Sequence, residues 1–426
     1  MRARRQRWVR PHSPVIKMPT MHIQQVIRAT GRRVCVCVLL AALFAAVPSH
    51  AGTLPKGARD VSTKHYVIKT NIKGDLVDDL ARRIDAMYEE YTRRMKEFSP
   101  PKDAPKLPVY LFNTHEEYQA FTEAPNMGGL FVVQDEGTSY LAAHLEPLGR
   151  DELRRTIQHE GFHQFAYATI DDKLPLWINE GIAEYFNDAI WNGRTYLVGQ
   201  VWPRRVRRLQ HDIQKRQLVP FKEFTTVTSE QWFEAIKKDP EKITTYYNQA
   251  WAMVYFLGES GRDHHRRKLL DYMKKIKAGA DPVAQWKKTF PNMDDLQNEF
   301  ARWAVSLGPT TGATMIERQE TLATMLILTK GQSFNSMGEF RNYVITRGLK
   351  VTSRAGKMRW STSDRPAEYF ESPSENLYDS STQLFFQPAA GRPLPDIVCR
   401  AAADAHFRTR FYRDAGGEIQ HEVLIE

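Results

Sequence analysis

Residues 159–184 read HEGFHQFAYATIDDKLPLWINEGIAE, and what the chain is for turns on how this stretch is wound. At a helical step of about 100° per residue, His159 and His163 project from one face a turn apart, with Glu160 on the neighbouring face. Two imidazoles at that spacing can grip one ion. Glu180, opening the EGIAE segment with sixteen residues between it and His163, is the candidate third ligand. Three protein ligands leave the fourth tetrahedral position to water, and that open position separates a catalytic zinc from a structural one.

The flanking sequence supports two helices. Asp151 is a candidate N-cap for the first, and Leu153, Ile157, Phe165 and Ala168 give it an apolar side. Gly161 inside that helix costs about 1 kcal/mol against alanine, which points to tight packing or close approach there. Pro175 stands at or near the first turn of a second helix, LWINEGIAEYFNDAIW, whose Trp177, Ile182, Ala183 and Phe186 can pack. Glu180 and Glu184 then share a face one turn apart. Zinc takes neutral imidazole nitrogen and carboxylate oxygen, and it lowers the pKa of its water far toward neutrality. Glu160 would take a proton from that water and pass it to a leaving amine. Glu184 would orient a histidine ligand through its other ring N–H.

HEGFH followed by WINEGIAEYF resembles the gluzincin metallopeptidases, of the thermolysin and aminopeptidase N type. There a glutamate in an Asn-Glu-Gly or Asn-Glu-Ala context on the next helix is the third zinc ligand. The resemblance implies that His159, His163 and Glu180 hold Zn2+, that Glu160 is the base, and that the substrate is a peptide or protein. The sixteen-residue interval is slightly shorter than usual in those enzymes, which shortens the connecting loop. YNQAWAMVYFL at 247–257 is similar to a stretch of the aminopeptidase N relatives in which a tyrosine opens a helix and donates to the tetrahedral oxyanion. Tyr247 is the matching position, and a phenol placed where negative charge develops suits that role. Tyr246 is an adjacent rival, and helix packing by either is the plain alternative. The Gly-x-Met-Glu-Asn segment that holds a substrate amine in true aminopeptidases is absent. Asp135 and Glu136 lie in the right region but in another context, so exopeptidase specificity is not implied. Residues 60–305 resemble a group of exported bacterial gluzincin-like proteins.

The first 51 residues are read separately as a signal peptide. Nine Arg and Lys residues without one acid precede the apolar run VCVCVLLAALFAAV and then Ser49-His50-Ala51, with cleavage expected near Ala51. The fourteen-residue run is shorter than the ~20 needed to cross a bilayer, and the long basic region leaves Met18 or Met21 as alternative starts. An uncleaved anchor, or twin-arginine export through Arg32-Arg33, are the competing readings. Without this leader the formal +10 falls to 51 basic against 50 acidic residues, so the basic balance carries no message about nucleic acid. Only Cys399 is left, which makes no internal disulfide and fits a bacterial envelope protein, periplasmic or extracellular.

The reading predicts an α+β protein. Residues 52–147 form a small mixed or antiparallel sheet with a long helix over 75–98, strands at 64–72, 107–113, 129–133 and 138–144, and a short helix starting at Thr114. The sheet edge before the metal helix either accepts an extended peptide as an added strand or merely covers the core. Residues 148–305 form a mainly helical lobe. Within it Arg204, Arg205, Arg207, Arg208 and Arg216 make either a patch for anionic envelope polymers or membrane, or a solvated helix face. Beyond a linker at 306–313, residues 306–426 carry two helical pieces and five strand-like runs, an α+β or β-rich accessory domain. The function expected is a zinc metallopeptidase. A metal-binding or interaction protein without turnover, and a zinc amidase acting on peptidoglycan, are the alternatives.

Overall fold

The computed structural model describes residues 52–426 apart from 102, 125–126, 135–137, 171–172, 356–357, 362–365, 371–382, 401–405 and 415. The leader and the Asp135–Glu136 turn therefore lie outside the described residues. The protein is α+β, as its sequence predicts.

Five strands make the first sheet: β1 (Arg59–Ser62), β2 (Tyr66–Thr70), β3 (Leu107–Thr114), β4 (Gly129–Val133) and β5 (Ser139–Glu146), in the order β1-β2-β3-β5-β4. The sheet is mixed, because β2 to β3 and β3 to β5 run parallel while both outer pairs are antiparallel. Helix α1 (Leu76–Arg94) makes the first crossover. Its Leu76, Leu80, Ile84, Met87 and Tyr91 recur at helical spacing and are all buried. Thr114 caps α2 (His115–Thr122) in a reciprocal capping box with Glu117, which is why that helix starts where the sequence says. Strand β1, too short and too charged to read, was not foreseen.

Helix α3 (Arg150–Thr169) crosses β4 and β5, and α4 (Leu176–Asn187) follows after a short loop. The expected cap at Asp151 is corrected: Gly149, at φ 85°, precedes the helix, and Asp151 sits in the first turn paired with Arg154 at 2.9 Å. Only glycine takes that backbone conformation without strain. Pro175 flanks α4 as expected, but the helix ends at Asn187. Ile190–Trp191 (β6) then pairs with Tyr196–Leu197 (β7).

The lobe continues with α5 (Pro203–Gln214), α6 (Phe221–Phe224), α7 (Ser229–Lys238), α8 (Pro240–Glu259), α9 (Asp263–Lys277), α10 (Pro282–Thr289) and α11 (Met293–Ser306). Apolar spacing over 281–304 reads as one helix, but the segment is broken at Phe290, since Pro291 disfavours the α conformation of the residue before it. Tyr247 does not open its helix either; α8 begins seven residues earlier at Pro240. Neither reading of the α5 arginines survives. Arg204 and Arg205 pair with Asp188, Arg207 with Glu317, and Arg208 with Asp212 and Glu241. They lace helices together, leaving Lys215 and Arg216 as the exposed end of the run.

After residue 306, α12 (Thr311–Leu328) and α13 (Met337–Arg347) precede a small hairpin of β8 (Thr352–Ala355) and β9 (Met358–Ser361). The antiparallel sheet of β10 (Gln383–Gln387), β11 (Asp396–Arg400), β12 (His406–Arg413) and β13 (Ile419–Ile425) follows. Leu322, Leu326, Phe340, Ile397 and Phe411 form a core between these helices and this sheet. One larger core runs from β2 through α1, α3, α4 and α8 to α11, and the metal-spaced histidines stand inside it. No helix among the described residues is long and apolar enough to cross a membrane.

The foot of α3 is held by Arg154, 8% exposed, which donates to Asp79 on α1 at 2.7 and 3.0 Å and to Glu422 on β13 at 2.8 Å. Burial raises the pKa of Asp79, but Arg154 and Arg83 outweigh it and hold the carboxyl below its ordinary 3.8. A group depressed in the folded state stabilises above its unfolded pKa, and that stability is lost as pH falls through the folded value. Asp79→Asn is therefore expected to cost about 1–2 kcal/mol at neutral pH, part-screened at this half-buried site. Denaturant midpoints of the two proteins should converge as pH is lowered below 3.8.

Candidate metal centre

Three side chains of α3 and two of α4 meet in the core. His159 and Glu160 are 0% exposed, His163 2%, Glu180 0% and Glu184 1%. His159 Nε2 and His163 Nε2 stand 3.1 Å apart, and Glu180 Oε2 lies 3.3 Å from the first and 3.6 Å from the second. Ligand atoms about 2.0–2.1 Å from a tetrahedral zinc stand about 3.3–3.4 Å from one another, so the three edges of this triangle have the length a zinc ion requires.

The far side of each imidazole fixes what the near side presents. His163 Nδ1 lies 3.1 Å from Asn179 Oδ1, and His159 Nδ1 lies 3.2 Å from Glu184 Oε1. Amide and carboxylate oxygens only accept, so in the neutral rings both Nδ1 atoms carry the hydrogen. Both Nε2 lone pairs then face each other and a carboxylate oxygen, an arrangement without a proton to share. Both oxygens of Glu180 and both of Glu160 also lack a hydrogen-bond partner. A buried ion costs several kcal/mol unless it is compensated. These residues fit a divalent cation.

The electrostatics show what the cluster calls for. Burial opposes a charge on His159, yet Glu180 and Glu184 beside it push its pKa up to about 10, so a proton on that ring and a cation between the ligands answer the same surplus of negative charge. Burial likewise works against the Glu184 anion, but Arg205 and His159 outweigh it and bring the carboxyl down to about 2. Glu180 is held low against its burial by His163 and His159. Glu160 is the exception: burial pushes its carboxyl up despite the two histidines, as suits a group that must accept a proton.

Tyr247, on α8, has its ring centroid 6.5 Å from that of His159, and its buried hydroxyl lacks a hydrogen-bond partner. Tyr246 turns away, packing against Phe224 at 5.5 Å and Trp232 at 5.1 Å. The structure thus brings Tyr247, not Tyr246, to the metal helices. Trp232 meets Tyr247 edge-on at 5.3 Å.

Strand β4 is an outer strand of its sheet. The bonds His144 N to Gly128 O and Gln134 N to Thr138 O set the pairing register, so Gly129, Phe131 and Val133 turn their backbone groups to the free edge. The Phe131 backbone lies close enough to Glu160 to lower its pKa, so that edge runs past the candidate base.

Four contributors escape a reading of the motif. Asn179, Trp232 and Arg205 act on His163, Tyr247 and Glu184. The fourth is Gln158, whose Nε2 donates to Phe186 O at 3.0 Å and to Asn187 O and Ala189 O at 3.3 Å, setting the distance between α3 and α4. Asn179 stands beside Glu180 within the motif, but its bond to His163 shows only in the fold. The others lie on separate helices or look like ordinary polar residues. A second cluster, His211, Asp212 and Glu241, also has metal-like proximity. There Arg208 already supplies the positive charge, at 2.8 Å from Asp212 and 2.9 Å from Glu241.

Residues 154–283 match a family described as a protein of unknown function (DUF1570). His159, Glu160, His163, Glu180, Glu184, Arg205 and Tyr247 all fall inside the matched stretch. No curated protein matches the chain.

Proposed function

We propose that the protein is an exported zinc metallopeptidase that hydrolyses peptide bonds in peptide or protein substrates. The observation that carries the reading is the triangle of His159 Nε2, His163 Nε2 and Glu180 Oε2, with edges of 3.1, 3.3 and 3.6 Å, beside an unpartnered Glu160. A bound zinc ion supplies a Lewis acid and a water of lowered pKa. His159, His163 and Glu180 hold it; Glu184 and Asn179 keep the two rings turned. Glu160 takes the proton of the attacking water and passes it to the leaving amine. Tyr247 donates its hydroxyl to the developing oxyanion. The free edge of β4 supports an extended substrate added as a further strand, with backbone pairing for affinity.

The decisive experiment is metal analysis of the purified protein together with digestion of a peptide library and of peptidoglycan stem peptides. Stoichiometric zinc with peptide cleavage is the expected result. Zinc without turnover favours a binding protein, cleavage confined to stem peptides an envelope amidase, and no zinc sinks the reading. Tyr247→Phe keeps the ring but loses the donor. It is expected to lower kcat about 10²-fold with KM and zinc content little changed, which steady-state kinetics on the best library peptide will check.

A further inference from the structure

Resting on the zinc reading above, we propose that Arg205 is a positioning residue of the metal centre, fixing Glu184 so that His159 offers Nε2 to the ion. Glu184 divides its two oxygens. Oε1 lies 3.2 Å from His159 Nδ1, while Oε2 accepts from Arg205 Nη2. The guanidinium is itself held on two sides. Its Nε donates to Asp188 Oδ2 at 2.8 Å, and its Cζ lies over the Trp251 ring, 5.4 Å from the centroid. Asp188 is 0% exposed, sits one turn beyond Glu184, and has its carbonyl bonded by Trp202 Nε1 at 2.8 Å.

The consequence is a chain running Asp188, Arg205, Glu184, His159. A glutamate free at both oxygens can swing its carboxylate away; with Arg205 holding Oε2, Oε1 stays 3.2 Å from Nδ1. With Nδ1 kept as the donor, the lone pair stays on Nε2. A lysine cannot replace the arginine, because one ammonium lacks the planar fork that serves Glu184 and Asp188 together.

The test is zinc affinity, measured by competition with a fluorescent chelator, for wild type, Arg205→Lys and Arg204→Lys. Arg204 also reaches Asp188, at 3.3 Å, but has no bond to Glu184. Arg205→Lys is expected to bind zinc about 10- to 100-fold more weakly while remaining folded, and Arg204→Lys to bind as wild type. Nitrogen-15 spectra of zinc-loaded wild type provide a readout that needs no variant: His159 should be metallated at Nε2 with Nδ1 protonated. Wild-type zinc affinity in Arg205→Lys, or zinc on His159 Nδ1, overturns the proposal and leaves the peptidase reading standing. Weakened zinc binding in Arg205→Lys with no hydrolysis by wild type supports the proposal and removes the peptidase reading. A wild type that takes up no zinc overturns both.

Discussion

Glu160→Gln is expected to lower turnover about 10²–10⁴-fold, the span a positioned general base contributes, while zinc remains equimolar with protein. The two halves of that result have separate causes. Zinc stays because Glu160 is outside the ligand triangle, and glutamine preserves the side chain's shape at a site with no exposed surface. Turnover goes because an amide cannot take a proton from the attacking water. Stability should hold or rise, since burial already works against the Glu160 anion and a neutral amide removes that penalty. Library digestion, elemental analysis and a thermal melt on the same sample read the three quantities. Full activity in the variant would remove Glu160 from the mechanism.

The second large effect is structural. A Cβ added at Gly181 would stand 2.5 Å from Ala250 O, 2.6 Å from Val254 Cγ2 and 2.8 Å from Ala250 C. Two of those atoms are backbone of α8 and cannot rotate aside, so α4 must move off α8. Overpacking of this kind costs about 1–3 kcal/mol, against which alanine returns about 1 kcal/mol of helix propensity. Glu180 precedes Gly181 and Tyr247 lies a turn before Ala250, so the displacement enters the metal centre. Gly181→Ala is expected to lose both melting temperature and zinc affinity. Gly161→Ala is the comparison: there a Cβ meets the Tyr91 hydroxyl at 3.1 Å, the end of a side chain rather than backbone. Its effect should be the smaller of the two, and the reverse order in parallel melts would contradict this account.

The motif was legible because its spacing is a property of one helix. His159 and His163 must share a face wherever α3 lies, and Glu180 and Glu184 likewise on α4. Gly161 foretold a close approach, and Tyr91 Oη, which donates to Gln158 O at 2.5 Å, makes it. What did not show was every relation between elements. Arg205 looked like one of five surface arginines, because a charge run has no sequence mark that separates a solvated face from buried pairing. The α10–α11 break was announced by Pro291 and overlooked in favour of apolar periodicity. Helix α7 is amphipathic in its own sequence, but nothing there says that its Trp232 meets Tyr247.

Arg154 sets an order of assembly. It stands five residues before His159 yet is bonded to Glu422, 268 positions away along the chain. Tyr412, on the neighbouring strand, stacks under Arg150 at 5.0 Å. The strands that steady the foot of the ligand-bearing helix come last in the chain, and so remote a contact closes late in folding. The metal centre gains its last support after its ligands have met, and a protease that removed the final sheet would loosen it without touching a single ligand.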